Sequence, residues 1–70
     1  MIEVFKTDIR NKTTAKAILN VLKLSFPSAN FNFDLNDCDK ILRTESSQSI
    51  SNQVIEVVNS QGFRCEFLEE

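Results

Sequence analysis

Histidine, tryptophan and tyrosine are absent from this 70-residue chain, which also has only one glycine and one proline. Without histidine the chain lacks the commonest general base and a frequent metal ligand. A single glycine excludes the glycine-rich loops that cradle phosphates. All six aromatic residues are phenylalanine, which favours packing in a core over recognition through hydrogen bonds. We therefore expect no catalytic residues, no enzymatic activity and no cofactor.

An excess of one charge and a long apolar run are also missing. The chain has 8 basic and 10 acidic residues, a net charge of -2, and its basic residues are scattered. Nucleic-acid-binding surfaces gather lysine and arginine to neutralise phosphates, so this balance predicts no nucleic-acid partner. A membrane span needs about 20 consecutive apolar residues. No stretch has them, so we expect no membrane partner either.

The two cysteines, Cys38 and Cys65, are expected to be free thiols. Residues 1–4 do not have the basic and apolar segments of an export signal, which predicts a reducing, cytoplasmic location. Cys38 lies in a polar turn, whereas Cys65 is expected to face the core as a small hydrophobic residue. Strands lie about 4.8 Å apart, so we expect the two thiols to be too distant for a disulfide or a shared metal ion.

Alternation of apolar and polar residues predicts four short strands. Residues 30–35 are the clearest case, because Phe31, Phe33 and Leu35 alternate with polar residues. The other strands are predicted over residues 2–7, 40–44 and 64–68. Residues 36–39 are rich in turn formers, so the second and third strands should form a hairpin.

Helical spacing of apolar residues predicts two helices between these strands. Their apolar faces contain Ala15, Ile18, Leu19 and Leu22 in the first helix, and Val54, Ile55, Val57 and Val58 in the second. Asn11 or Thr13 is expected to cap the first helix, which should end near Ser25. Ser51 is expected to cap the second helix, and Gly62 suits a left-handed residue at its end.

The order of the six elements predicts the fold class. Two helices with one apolar stripe each must cover the same face of a sheet. We expect residues 1–70 to form one α+β domain, a ferredoxin-like βαββαβ two-layer sandwich with a four-stranded antiparallel sheet. Strands 1 and 3 should be central, with strands 2 and 4 at the edges. The segments 8–12, 36–39 and 61–63 should then share one end of the molecule.

Several residues resemble a known family. They are Ile18 and Leu22 on the first helix, and the ending Val58, Gly62-Phe63, Cys65 and Phe67. This pattern is similar to the heavy-metal-associated (HMA) domain of copper chaperones and metal-transporting ATPases. The resemblance covers nearly the whole chain, and its most specific part is the sequence of helix, glycine, aromatic residue and strand.

This chain lacks both cysteines of the metal-binding motif of that family, Met-x-Cys-x-x-Cys. The resemblance places the motif at residues 9–14, where Asn11 and Thr14 stand at the two cysteine positions. Two thiolates at this spacing bind a soft ion such as Cu(I), whereas neutral amide and hydroxyl oxygens do not replace them. The resemblance therefore implies an HMA-like framework that lacks the CxxC metal motif.

Two functional hypotheses follow. The first is a small non-catalytic module for protein interaction or regulation, which binds an unidentified protein partner or a second copy of itself. The alternative is a divergent heavy-metal carrier that uses Cys38 or Cys65 together with ligands from a partner. A third idea is a calcium site formed by Asp34, Asp37 and Asp39, but solvated turn carboxylates explain this cluster better.

The interaction hypothesis depends on the uncovered face of the sheet. If Ile2 and Val4 face the helices, Phe5 points to the open face, because side chains alternate along a strand. One of Ile41 and Leu42 should point there too, and Leu68 can join them. The predicted interaction residues are therefore Phe5, Ile41 and Leu68.

Overall fold

A computed structural model describes residues 1–36 and 38–68. The elements are β1 (Ile2–Thr7), α1 (Lys12–Ser25), β2 (Asn30–Asp34), β3 (Ile41–Glu45), α2 (Ser51–Ser60) and β4 (Cys65–Leu68). The strands form one antiparallel sheet in the order β2-β3-β1-β4. The predicted ferredoxin-like α+β fold is confirmed, with β1 and β3 at the centre and β2 and β4 at the edges.

β1 has the predicted bounds, and the bounds of the other three strands differ from the predicted ones by at most one residue. β3 begins at Ile41 because Lys40 has a positive φ of 49°, a left-handed conformation that does not continue a strand. β4 begins at Cys65. In β2 the two phenylalanines are half-buried between exposed polar neighbours, as the alternation predicted.

The N-cap of α1 is Asn11, one of the two residues that were expected to cap this helix. Its side-chain Oδ1 accepts a hydrogen bond from the backbone N of Thr14 at 2.8 Å, which satisfies one of the free N–H groups of the first turn. The predicted apolar face is buried at Ala15, Ile18 and Leu22. The helix thereby attaches to the sheet along one stripe.

The prediction that Ser51 caps α2 is wrong. The N-cap is Ile50, whose side chain has no hydrogen-bonding atom. The carboxylate of Glu3, in β1, instead holds the residues just before the helix: Oε1 accepts from the backbone N of Ile50 at 3.0 Å, and Oε2 accepts from the Ser49 hydroxyl at 2.9 Å. A negative charge near a helix N-terminus is also favoured by the helix dipole.

Gly62 ends α2 in the predicted way. It has a φ of 92°, and its N–H donates to the carbonyl of Asn59 at 3.0 Å. The N–H of Phe63 donates to the carbonyl of Val58 at 3.3 Å, which completes a Schellman motif. The chain can then turn directly into β4.

The core lies between the helices and one face of the sheet. Its buried residues are Phe5, Ile9, Ala15, Ile18, Leu22, Leu42, Val54, Val58 and Cys65. Thr44 is also fully buried, and its hydroxyl donates to the carbonyl of Glu3 at 3.4 Å. Within residues 1–36 and 38–68, no helix has the length and apolar character needed to cross a membrane.

Candidate functional site

The prediction that Phe5 lies on the open face is wrong. Phe5 has no exposed surface, and it is paired across the sheet with Leu42, which is also fully buried. Its ring packs edge-on against Phe67, with the ring centroids 5.7 Å apart. Ile2, which was expected to face the helices, is 58% exposed. The two faces of β1 are therefore the reverse of the expected ones.

Hydrogen bonds explain why β1 buries two polar residues beside Phe5. Glu3 is 5% exposed, and its carboxylate is satisfied at the start of α2 as described above. Thr7 is 6% exposed; its hydroxyl donates to the carbonyl of Lys40 at 2.6 Å and accepts from the backbone N of Ile9 at 3.3 Å. Burial of a polar group costs little once it is hydrogen-bonded, so this arrangement is stable.

Ile41 and Leu68, the other two predicted interaction residues, do lie on the open face. Ile41 is opposite Lys6, and Leu68 is opposite Val4. Ile41 is only 8% exposed and offers little surface to a partner. Ile2, Val4 and Leu68 together form what we call the apolar patch, at the corner of β1 and β4. Whether these residues bind a partner stays a prediction.

Charges of both signs surround the apolar patch. Arg43 is opposite Val4, and Glu45 is opposite Ile2. Further along the same face, Lys6 is opposite Glu66. All four charged residues are exposed. The open face therefore has an apolar corner and neighbouring cations and anions, and it has no cover among residues 1–36 and 38–68.

The two thiols differ in environment. Cys38 is exposed, whereas Cys65 is 7% exposed on the covered face, as predicted. Burial, with a smaller contribution from the negative charge of Glu66, raises the pKa of the Cys65 thiol to about 12. Cys65 therefore stays protonated at neutral pH, and a protonated thiol is a poor ligand for a soft metal.

The described aspartates of the cluster and the residues at the motif's cysteine positions have structural roles. The Asp34 side chain accepts from the backbone N of Asn36 at 3.1 Å, and Asp39 lies 3.8 Å from the Lys6 ammonium. Asp37 lies outside the described residues. Asn11 and Thr14, at the expected cysteine positions, form the N-terminal cap of α1. In the described part of the chain, no three Cys, Asp or Glu side chains are placed to hold a metal ion.

The three segments that were predicted to share one end of the sheet do meet there. The N–H of Thr7 donates to the carbonyl of Asp39 at 3.1 Å, and the N–H of Arg64 donates to the Asp8 carboxylate at 2.8 Å. Between them is a cleft of about 460 Å³, lined by Lys6, Thr7, Asp8, Arg10, Cys38, Lys40, Arg64 and Glu66. We call it the loop-end cleft.

The basic character of the loop-end cleft was missed in the sequence. Its four cationic side chains come from β1, the loop before α1, the end of the hairpin and the residue before β4. They are far apart in the sequence and form no local cluster of basic residues there. The predicted fold places three of these segments together. A count of charges on the predicted loops would not have found the cleft, because residues 8–12, 36–39 and 61–63 hold three acidic and two basic residues. The ends of the predicted strands, which carry Lys6, Lys40 and Arg64, have to be included in the count.

No family model matches this chain, and no curated protein matches it at a significant level. The resemblance to the HMA domain therefore stays a prediction that rests on the residues named above. The function has to be inferred from the geometry of the two candidate sites, the open face and the loop-end cleft.

Proposed function

We propose that this chain is a small non-catalytic interaction module, HMA-like in framework and without the metal-binding cysteine pair, and that it binds through the open face of its sheet. The observation that carries the proposal is the apolar patch. Ile2 is 58% exposed, and Val4 and Leu68 lie side by side across β1 and β4. A contiguous apolar group on an uncovered sheet is a feature of binding surfaces.

The partner that we propose is a second copy of the chain. A symmetric contact between two copies places the same face against itself, so that face must be self-complementary. The open face meets this requirement because it carries both Lys6 and Arg43, and both Glu45 and Glu66. Cations of one copy can face carboxylates of the other while the two apolar patches meet. A uniformly charged face would repel its own copy.

The competing proposal is a heavy-metal carrier, and the state of the thiols weighs against it. Cys65 is buried, and burial raises its pKa and disfavours the thiolate, so Cys38 is the accessible thiol. A single thiolate needs further soft ligands from a partner to hold Cu(I) tightly. We also propose a cytoplasmic location for the interaction module, where the exposed thiol of Cys38 would remain reduced.

Sedimentation equilibrium over a series of protein concentrations tests the interaction. We expect a weak, concentration-dependent dimer, because an apolar patch of three residues makes a small interface. Ile2→Lys should weaken dimerisation about tenfold, since it places an ammonium in the apolar contact. Ile2 is already largely exposed, so the fold should tolerate this change.

Leu24→Lys is the matched control. Leu24 is 84% exposed on α1, away from the open face, and the substitution changes the net charge equally. It should leave the dissociation constant unchanged. A wild-type protein that stays monomeric at all concentrations would contradict the proposal, as would equal effects of the two lysine variants.

A further inference from the structure

The loop-end cleft gathers half of the basic residues of the chain. Four of the eight lysines and arginines line it, against two of the ten acidic residues. The lining therefore holds more basic than acidic side chains, although the chain as a whole has a net charge of -2. We propose that the loop-end cleft binds a small phosphate monoester, a role different from the interaction assigned to the open face, although Lys6 and Glu66 border both sites.

The two arginines are available to a ligand. In the described residues, 1–36 and 38–68, the guanidinium groups of Arg10 and Arg64 make no ion pair and no hydrogen bond. The nearby Asp8 carboxylate bonds to the backbone N of Arg64, so it orients the chain and leaves the guanidinium group free. A guanidinium fork matches the geometry of phosphate oxygens and can bind them through two parallel hydrogen bonds.

The two lysines add positive charge that is only partly neutralised. The Lys6 ammonium lies 3.8 Å from the Asp39 carboxylate, and both side chains are about half exposed, so this ion pair is weak. The Lys40 ammonium donates to the carbonyl of Leu35 at 3.0 Å, which leaves two of its three donors for a ligand. The lysines therefore serve as additional charge around the two arginines.

The frame of the cleft is formed before any ligand arrives. Hydrogen bonds from Thr7 to the backbone of Asp39 and of Lys40 fix the hairpin against β1. The bond from Arg64 to Asp8 fixes the start of β4 against the loop before α1. A preformed site loses less conformational entropy when a ligand binds, which raises its affinity.

The size of the cleft favours a small ligand over a nucleic acid. Its volume of about 460 Å³ lies in the range of small-molecule sites. This is much more than one phosphate group fills, so an ester has room for its organic part. A polynucleotide would instead need a basic track along the surface, and the four basic residues outside the cleft, among residues 1–36 and 38–68, stand beside about as many exposed acidic ones.

The test is a titration of the wild-type protein, followed by the backbone amide signals in NMR, at constant ionic strength. Inorganic phosphate, glycerol phosphate and chloride are the three ligands compared. We expect saturable shifts with the two phosphates, confined to amides around Asp8, Arg10, Cys38, Lys40 and Arg64. Glycerol phosphate should bind more tightly if an ester is the ligand; equal or weaker binding than inorganic phosphate would overturn the ester assignment.

Three variants are expected to change the affinity for phosphate in different ways. Arg10→Gln combined with Arg64→Gln should weaken phosphate binding at least about tenfold, because charge-assisted hydrogen bonds are lost. Glu66→Gln should tighten it about two- to threefold by removing a repelling charge, an effect that damage to the fold cannot imitate. Arg43→Gln removes the same charge from the open face and should change the affinity less than about twofold, because solvent and salt screen it.

Two results would overturn the proposal. One is a set of shifts that do not saturate, or that chloride reproduces at the same ionic strength. The other is an equal loss of affinity in the Arg43→Gln variant and in the double arginine variant. A dispersed amide spectrum of each variant establishes that it is folded.

Discussion

The covered face and the open face of the sheet both combine apolar residues with polar or charged ones, but in different ways. On the covered face, a glutamate and two threonines are buried beside Phe5 and Leu42, and each has a hydrogen bond. On the open face, Ile2 is mostly exposed among lysine, arginine and glutamate. Apolar character alone would place Ile2 inside and Glu3 outside. Hydrogen-bond partners from distant segments allow Glu3 and Thr7 to be buried on the same face as Phe5, so the apolar character of single residues does not predict the buried face of β1.

The largest expected effect separates two neighbours on β1. Phe5→Ala should lower the free energy of unfolding by about 3–5 kcal/mol, because it empties a fully buried site. That loss is comparable to the whole stability of a domain of this size. Val4→Ala, on the open face, should cost only about 1 kcal/mol. Urea unfolding followed by circular dichroism measures both, and similar losses would contradict the assignment of the two faces.

The second effect tests the buried carboxylate. Glu3→Gln keeps the size of the side chain but removes the charge that accepts from Ile50 and Ser49. We expect a loss of about 1–3 kcal/mol in the free energy of unfolding, the usual cost of weakening a charged, buried hydrogen bond. Glu45→Gln is the matched control on the open face and should change stability by less than about 0.5 kcal/mol. If both substitutions have the same effect in urea unfolding, Glu3 does not anchor α2.

The third effect concerns pH and the two thiols. The Cys65 thiol has a pKa of about 12 in the folded protein, against an ordinary value of 9.0 in the unfolded chain. Unfolding therefore releases a proton between these values, so the stability from Cys65 is complete below pH 9.0 and falls as the pH rises.

This loss should reach about 1 kcal/mol near pH 10. The difference in unfolding free energy between pH 8 and pH 10, measured in urea, should be smaller in Cys65→Ala than in the wild type by about that amount. Cys38→Ala should retain the wild-type difference. An unchanged pH dependence in Cys65→Ala would show that this thiol ionises in the folded protein.

The smallest expected effect is the response to a soft metal. Titration of the reduced protein with Cu(I), in competition with a chelator, should reveal no tight stoichiometric binding, because Cys38 is the only exposed thiol. Cys38→Ser should behave as the wild type does. One tightly bound equivalent that disappears in Cys38→Ser would support the carrier hypothesis instead.

The sequence predicted the fold because its local signals agree with one another. Strand alternation in residues 30–34, the Asn11 cap and the left-handed Gly62 each depend on neighbouring residues only. The order of elements then fixed the sheet topology. These features need no knowledge of distant contacts, which is why the errors in element bounds are small.

The misassigned features all depend on contacts between distant segments. Glu3 is 47 residues from Ile50, so neither its contact at the start of α2 nor the burial of a glutamate is visible in a local pattern. The orientation of the Phe5 side chain was predicted wrongly for the same reason. The loop-end cleft likewise unites Lys6, Arg10, Lys40 and Arg64, which are far apart in the chain.

An NMR concentration series of the wild-type protein tests the role of the open face most directly. On dilution, amide signals of β1, β3 and Leu68 should shift together along one binding curve, while those of α1 and α2 stay constant. This result would locate self-association on the uncovered side of the sheet. Signals that do not change with concentration, or shifts that concentrate on the helices, would contradict the account.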